Sequence, residues 1–250
     1  MTSSNDWIRA AQAEAECGNH DRCVQFANYA IARDPDSASA WSWLGWGLFS
    51  SGLIAEGVEA LETASTLGPL TDRTRIELAI AYGALGKRSL SRDLLMMSAT
   101  TNRLSAECML RVAAGLEAVD EPELAMEACR RAGRLNPEWP EVHFRMATYA
   151  ALCGYPSTTS EALYRHAIDL DSENLHYRVG LVSLLIRLNR SREAMQVIDR
   201  FVPSRLEEIT CTCCLKRIAN LYFDIGDLAR ASACSARYGQ LMSVGTANAS

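Results

Sequence analysis

The residues with the clearest capacity for chemistry are four cysteines near the carboxyl end of the chain, Cys211, Cys213, Cys214 and Cys234. Thiolates grouped in this way can bind zinc or take part in redox chemistry. They lack the paired C-x2-C spacing of structural zinc sites, however, and two of them are adjacent. On a helix that begins here, Cys211 and Cys214 would lie close together, while Cys213 would point elsewhere. We therefore expect thiols that behave as small apolar side chains, and no metal site.

Histidine is the other side chain that commonly binds metals or acts as a general base. The chain has four, His20, His143, His166 and His176. None of them is spaced with acids or cysteines as in a zinc-binding helix or a nucleophile–base pair. The closely spaced Gly45 and Gly47 fall inside a predicted helix and do not form a phosphate-binding loop. We expect no catalytic residues and no cofactor, so the chain is predicted not to be an enzyme.

The charges are mixed along the chain. There are 25 Lys and Arg residues against 30 Asp and Glu residues, for a formal net charge of −5. The densest basic cluster, Arg130, Arg131 and Arg134, is typical of a solvated helix face. Because no basic stripe is present, we expect neither a nucleic-acid partner nor a membrane partner.

Three further properties of the sequence bear on where in the cell the protein is located. Nine irregularly spaced cysteines do not indicate a disulfide framework, because the number is odd and the chain can bury a large core. The first residues carry no signal-peptide pattern. The longest apolar stretch, around Val179 to Ile186, is far shorter than the ~20 residues that cross a bilayer. We expect a cytoplasmic location.

The elements that position these residues recur on a fixed period. Three prolines and three glycines each fall on a 34-residue spacing. The prolines are Pro35, Pro69 and Pro137, and the glycines, which Asp120 follows at the next step, are Gly18, Gly52 and Gly86. A period of this length indicates a stack of supersecondary units that bury their apolar faces against one another.

Each period contains two predicted helices. In residues 38–71 the first helix runs from Ala40 to Ser51, and Gly52 ends it because glycine readily takes a positive φ. Pro69 stops the second helix. Asp36 or Ser37 can cap the first helix of this unit. In the unit 106–139, Asp120 can cap the second helix, which contains Ala125. The inward-facing residues are Trp41, Leu44, Gly45 and Leu48, then Gly57, Leu61 and Ala64.

This pattern resembles the tetratricopeptide repeat, whose signature has Trp, Leu, Gly and Tyr at positions 4, 7, 8 and 11 and Ala, Phe, Ala and Pro at positions 20, 24, 27 and 32. The resemblance implies an all-α fold, a right-handed αα-superhelical solenoid of about seven helix-turn-helix repeats. It predicts a single solenoid over 4–245 and a flexible tail at 246–250. The repeats are expected at about 4–37, 38–71, 72–105, 106–139, 140–174, 175–208 and 212–245. The departures are Arg75, Arg103, His143 and one extra residue near Tyr155.

The resemblance also implies a binding surface, because in this family the first helix of each pair lines a concave groove. Trp46 and Phe49 are the strongest candidate anchors, since large aromatics dominate binding hot spots. The alternative is that narrow curvature lets the groove side chains pack on one another. The expected partner-binding residues are Ile8, Gln12, Trp46, Phe49, Ile76, Ile80, Leu110, Phe144, Val179, Ile186 and Phe223.

Some members of the family clamp a carboxyl-terminal carboxylate with Lys, Asn and Arg. Of the equivalent residues here only Arg73 keeps that chemistry, so we reject the clamp. Charged residues on the first helices also occur at i,i+4 spacing, and these are expected to be ordinary ion pairs on the helix surface. The pairs are Arg73 with Glu77, Glu107 with Arg111, and Glu141 with Arg145.

The predicted function is a non-catalytic protein–protein interaction module, an adaptor or assembly scaffold, that binds an apolar or amphipathic segment in its groove. One alternative is a secretion-type chaperone that masks a hydrophobic segment of an exported protein. The other is a regulatory or catalytic protein with an unrecognised site. A terminal repeat could also pair with a second copy to form a homodimer.

Overall fold

The computed structural model describes residues 3–100, 104–199 and 204–247, with side chains of the last helix described as far as Met242. Within these residues the secondary structure consists of α-helices and one short 3-10 helix, Leu206–Glu208, with no strand. The predicted all-α class is confirmed. Arg103 and residues 248–250 of the predicted tail lie outside the described residues.

The chain forms two compact units, Met1–Leu135 and Asn136–Ser250. The helices of the first unit are α1 Ser4–Glu16, α2 His20–Arg33, α3 Ala38–Ser50, α4 Ile54–Leu67, α5 Asp72–Ala84, α6 Arg88–Thr100, α7 Ala106–Ala118 and α8 Pro122–Leu135. Those of the second unit are α9 Pro140–Leu152, α10 Ser157–Leu170, α11 Leu175–Arg187, α12 Ser191–Ile198, α13 Thr212–Asp224 and α14 Leu228–Ala247. In each unit consecutive helices pack as hairpins, and the first helix of a hairpin also contacts the first helix of the next.

The first helices of the first unit begin at a repeated capping residue. Ser37 is one of the two caps predicted for α3, and its hydroxyl accepts a hydrogen bond of 3.4 Å from the amide of Ala40. Equivalent hydroxyl caps occur 34 residues apart in all four hairpins of the unit. They are Ser3, Ser37, Thr71 and Ser105. Capping of this kind stabilises a helix by about 1 kcal/mol and fixes its register.

A left-handed residue lies in the turn of every described hairpin. Asp120 (φ 69°) and Asn189 (φ 58°) take this conformation without being glycine. The prediction that Asp120 caps α8 is therefore wrong, because it ends the preceding turn and the helix begins two residues later, at Pro122. The step from Gly154 to Asn189 is 35 residues, which agrees with one extra residue near Tyr155. The full series is Gly18, Gly52, Gly86, Asp120, Gly154, Asn189 and Gly226.

In four hairpins the residue at position 4 of the repeat ties the first helix to the loop before it, whereas the position-4 residues Met109 and Leu215 have no side-chain donor. The indole nitrogen of Trp41 donates to the Pro35 carbonyl at 2.8 Å. His143 lies at the equivalent position, and its Nε2 is 2.6 Å from the Pro137 carbonyl oxygen. Arg75 and Arg178 likewise donate to loop carbonyls, of Leu70 and Ser172. Arg75, His143 and Arg178 thus make a hydrogen bond of the kind that Trp41 makes, and His143 has a structural role.

Positions 8 and 20 are where the two helices of a hairpin cross. In α3 and α4 these are Gly45 and Gly57, and a Cβ on Gly57 would lie 2.9 Å from the Phe49 amide nitrogen and 3.0 Å from the Gly45 carbonyl oxygen. The other hairpins have small residues at these positions, with the single exception of Val182, and all are buried. Close approach of the two backbones therefore depends on residue size at these two positions.

Two position-20 residues are serines whose hydroxyls are buried. Ser91 and Ser160 are 0% exposed, and neither hydroxyl has a hydrogen-bond partner in the described part of the chain. Replacing each by alanine should stabilise the protein by about 1 kcal/mol, because an unpaired buried hydroxyl gives way to an apolar group of similar size. Urea denaturation measures the gain, and Ser65→Ala on the exposed face of α4 is the control with an expected change near zero. A loss of stability in Ser160→Ala would contradict the assignment.

The core of each unit is made by these hairpins. In the first unit Ala11, Cys23 and Leu44 belong to one apolar cluster. Trp7 stacks beside it on Phe26, with ring centroids 5.5 Å apart. In the second unit a continuous cluster runs from Phe144 to Cys234. None of the described helices is long and apolar enough to cross a membrane.

Candidate functional site

The first unit contains a pocket of about 300 Å³ between α3 and α5. It opens beside the amino-terminal half of α3, where small residues leave space next to two tryptophans. The lining residues are Ala38, Ser39, Ser42, Trp43, Trp46, Leu61, Pro69, Thr71, Arg73, Thr74 and Glu77.

A second pocket, of about 230 Å³, continues between α5 and α7. Trp46, Arg73 and Glu77 line both pockets, so the two form one continuous groove across the first helices of three successive hairpins. We call it the α3–α7 groove. The remaining residues of the second pocket are Ser50, Ile76, Glu107, Cys108 and Arg111.

One wall of the α3–α7 groove is aromatic. Trp43 and Trp46 are three residues apart on α3, and their rings meet edge to face with centroids 6.1 Å apart. The other side of Trp46 contacts the ring of His20 at 5.3 Å. Both indoles are half-buried. The contacts fix their orientation while leaving apolar surface open to the groove, which suits a hot spot.

The opposite wall is charged. Glu77 on α5 is only 2% exposed, and Arg111 on α7 donates to both of its carboxylate oxygens. Arg73, one turn before Glu77, is exposed and has no hydrogen-bond or ion-pair partner among residues 3–100, 104–199 and 204–247. The groove therefore has a neutralised carboxylate at its base, and its exposed lining residues include the cation Arg73 and the carboxylate Glu107.

Only one of the three expected i,i+4 ion pairs has formed. Arg145 donates to Glu141 at 2.7 Å, as predicted. The other two predictions are wrong, because Glu77 pairs with Arg111 of the next hairpin. Packing between neighbouring hairpins places Arg111 against the buried carboxylate of Glu77. A buried carboxylate requires a cationic partner more than an exposed one does.

Arg111→Gln should destabilise the protein by about 1 to 2 kcal/mol, since it leaves the Glu77 carboxylate buried without its cation. Glu77→Gln should cost less, because Arg111 is 48% exposed and water can solvate it. Chemical denaturation of the two variants measures the difference. A larger loss in Glu77→Gln than in Arg111→Gln would contradict this account of the pair.

The eleven residues predicted for the partner groove divide by exposure. Four are buried in the chain's own core, namely Ile76, Leu110, Phe144 and Val179. Five are half-buried, namely Ile8, Trp46, Phe49, Ile80 and Ile186. Gln12 and Phe223 are exposed. The structure brings Trp46 and Ile76 together in the α3–α7 groove, and the role of the whole set in binding stays a prediction.

The structure departs from the predicted groove at Phe49 and at Trp43, which was not among the predicted residues. Phe49, predicted with Trp46 to be an anchor for the partner, packs against the apolar cluster that contains Val58 and Leu61. It does not line either pocket. Trp43 does line the groove. The signal for Trp43 in the sequence was its i,i+3 spacing from Trp46, which places both indoles on neighbouring parts of one helix face.

The cysteines near α13 also differ from expectation. Cys213 does not point away, since its Sγ lies 2.9 Å from the Sγ of Cys211 and 4.0 Å from that of Cys214. Burial acts to raise the pKa of the Cys211 thiol, but hydrogen bonds from Cys213 and Cys214 outweigh it, and its pKa is lowered. Burial raises the pKa of Cys214 to about 12. Three thiols therefore converge where the sequence predicted two.

Comparison with known proteins finds matches among solved structures and in neither of the sequence comparisons. No family model and no curated protein sequence matches the chain. A tetratricopeptide repeat protein from Parabacteroides merdae matches with a TM-score of 0.72 at 12% identity, over 95% of this chain and 93% of that one.

Two further structures match over less of the chain. The Pseudomonas aeruginosa protein pilF has a TM-score of 0.64 at 15% identity, over 81% of this chain and 93% of its own. YrrB, described as a tetratricopeptide repeat protein with an unusual peptide-binding site, has a TM-score of 0.53 at 15% identity, over 69% of this chain and 88% of its own. At these identities the likeness concerns the fold, and it is the fold that the repeat pattern predicted.

Proposed function

From the tetratricopeptide-repeat fold of this chain, we propose that it is a non-catalytic protein-interaction module. The α3–α7 groove binds an extended or helical segment of a protein partner. Trp43 and Trp46 receive a large apolar side chain, and Arg73 pairs with an acidic residue of the same segment. The partner is therefore an amphipathic segment with an apolar anchor and a nearby acid.

The observation that carries this proposal is the aromatic wall beside an available cation. Edge-to-face contact and the His20 ring already order the indoles, so a ligand that covers them loses little additional side-chain freedom. Within the described part of the chain, Arg73 has no partner to give up. The neutralised Glu77 does not repel an acidic ligand as a free carboxylate would.

The comparisons support the proposal at the level of fold. YrrB, which has the same fold, is described as having a peptide-binding site. Repeat hairpins of this kind present extended surfaces suited to binding chain segments.

A displayed peptide library, selected on the full chain, tests the proposal. A photo-crosslinking residue at Ser42, which lines the groove, should capture the selected peptides. The same residue at Ser65, exposed on α4, is the control and should capture none. We expect the peptides to combine a large apolar residue with an acid. Equal capture at both positions, or selection of basic peptides, would contradict the proposal.

We also propose that the last hairpin pairs with a second copy of the chain. Phe223, Ile225 and Leu228 are 65%, 50% and 62% exposed, and they lie close together in sequence at the turn between α13 and α14. Apolar groups exposed together favour association. Sedimentation should show dimers that Phe223→Ser disrupts, whereas monomers alone at high concentration would contradict pairing.

We place the protein in the cytoplasm, where its free thiols remain reduced.

A further inference from the structure

The first turn of α13 gathers three sulfur atoms. Cys211 precedes the helix with an extended backbone, φ −80° and ψ 112°, and its Sγ accepts a hydrogen bond of 3.4 Å from the Cys214 amide. This folds the Cys211 side chain back over the helix end. Cys213, which would diverge from it on a regular helix, is thereby brought within 2.9 Å.

The distances suit a metal ion without a change of backbone. All three sulfurs lie within 4.8 Å of one another. Around an ion with metal–sulfur bonds of about 2.3 Å, three sulfurs in a plane lie roughly 4 Å apart. The Cys213 and Cys214 sulfurs already have this separation, and rotation of the thiol side chains must move the Cys211 and Cys213 sulfurs apart by about 1 Å.

We propose that Cys211, Cys213 and Cys214 bind one Cu(I) ion through three thiolates. The choice of metal follows from the donors. Among the residues that the structure describes, the ligand atoms that lie within 4.8 Å of one another here are three sulfurs, one fewer than the four ligands of a structural zinc site. Soft thiolate ligands select Cu(I). The three coordinating thiols release their protons to solvent, and no change of oxidation state is involved.

The surroundings favour a bound ion with three thiolates, whose net charge is −2. The Cys214 amide at the start of α13, which donates to the Cys211 Sγ, and the guanidinium of Arg217, close enough to act on Cys213, offset this charge. Cys213 is exposed and gives the ion a path of entry, while Cys214 is partly buried and receives a hydrogen bond of 3.7 Å from the Ser183 hydroxyl. One side of the site is open to water and the other is held by α11.

Titration of the reduced full chain with Cu(I), without oxygen and against a chromogenic Cu(I) chelator, tests the proposal. We expect one tightly held equivalent, with three sulfur neighbours in X-ray absorption. Cys213→Ser should weaken binding at least tenfold, and because Cys213 is exposed the variant should fold. Cys17→Ser removes an exposed thiol outside the cluster and should bind as the parent does.

Three results would overturn the proposal. The first is copper held equally by Cys213→Ser and the parent. The second is nitrogen or oxygen neighbours around the bound copper. The third is failure of the reduced parent to compete with the chelator, including the case where Cys211 and Cys213 are recovered as a disulfide after strict reduction. Circular dichroism of each variant confirms that loss of binding does not come from unfolding.

Discussion

Trp46→Ala is expected to weaken binding of a groove peptide at least thirtyfold, or about 2 kcal/mol. Trp46 lines both pockets of the α3–α7 groove, and its indole is the apolar side chain that they share. Loss of the ring removes the apolar contact and also leaves Trp43 without its edge-to-face neighbour. Fluorescence anisotropy with a labelled peptide from the library selection measures the change.

Trp41→Ala is the matched control for this variant. Trp41 lies on the same helix and packs on the same apolar cluster, but it lines neither pocket. It should lower stability through the lost Pro35 hydrogen bond and leave peptide affinity within about twofold. Equal loss of affinity in the two variants would mean that unfolding, and not the groove, explains the effect.

Gly57→Val should destabilise the protein by about 3 kcal/mol. A Cβ at this position would meet backbone atoms of α3, the Phe49 nitrogen at 2.9 Å and the Gly45 oxygen at 3.0 Å. Backbone cannot rotate away as a side chain can, so the two helices must separate and their shared core must loosen. Thermal and urea unfolding, followed by circular dichroism, measure the loss.

Gly239→Val in α14 is the control, because a Cβ there has no atom within 4 Å and the residue is exposed. Its effect should be within about 0.5 kcal/mol of zero. If Gly57→Val proved as mild, the hairpin would tolerate helix separation, and the importance of small residues at positions 8 and 20 would be refuted.

Much of the fold was predictable because its determinants are local and periodic. The glycine series located the left-handed turn residues, including Asp120, whose short polar side chain tolerates that conformation. Ser37 was recognised as a candidate cap from its place before a periodic helix. Arg75 and His143 depart from the tryptophan of the pattern, yet each donates a hydrogen bond to the preceding loop as Trp41 does.

The groove was less predictable, because a side chain's exposure depends on contacts between hairpins. Leu110 and Val179 occupy positions that face the groove in the repeat pattern, but neighbouring helices bury them. Glu77 and Arg111 are 34 residues apart, and periodicity alone gave no reason to prefer that pair over pairs within one helix. The position of Cys213 depended on the extended backbone of Cys211, which regular helix geometry does not predict.

The distribution of indoles gives the protein a built-in local probe. Of its five tryptophans, Trp7, Trp41, Trp43 and Trp46 lie in the first two hairpins, and Trp139 alone lies in the second unit. Intrinsic emission will therefore follow the amino-terminal hairpins, whereas ellipticity follows all the helices. Separate denaturation midpoints for the two signals would show that the array melts from one end, and a shared midpoint would show that it melts as a whole.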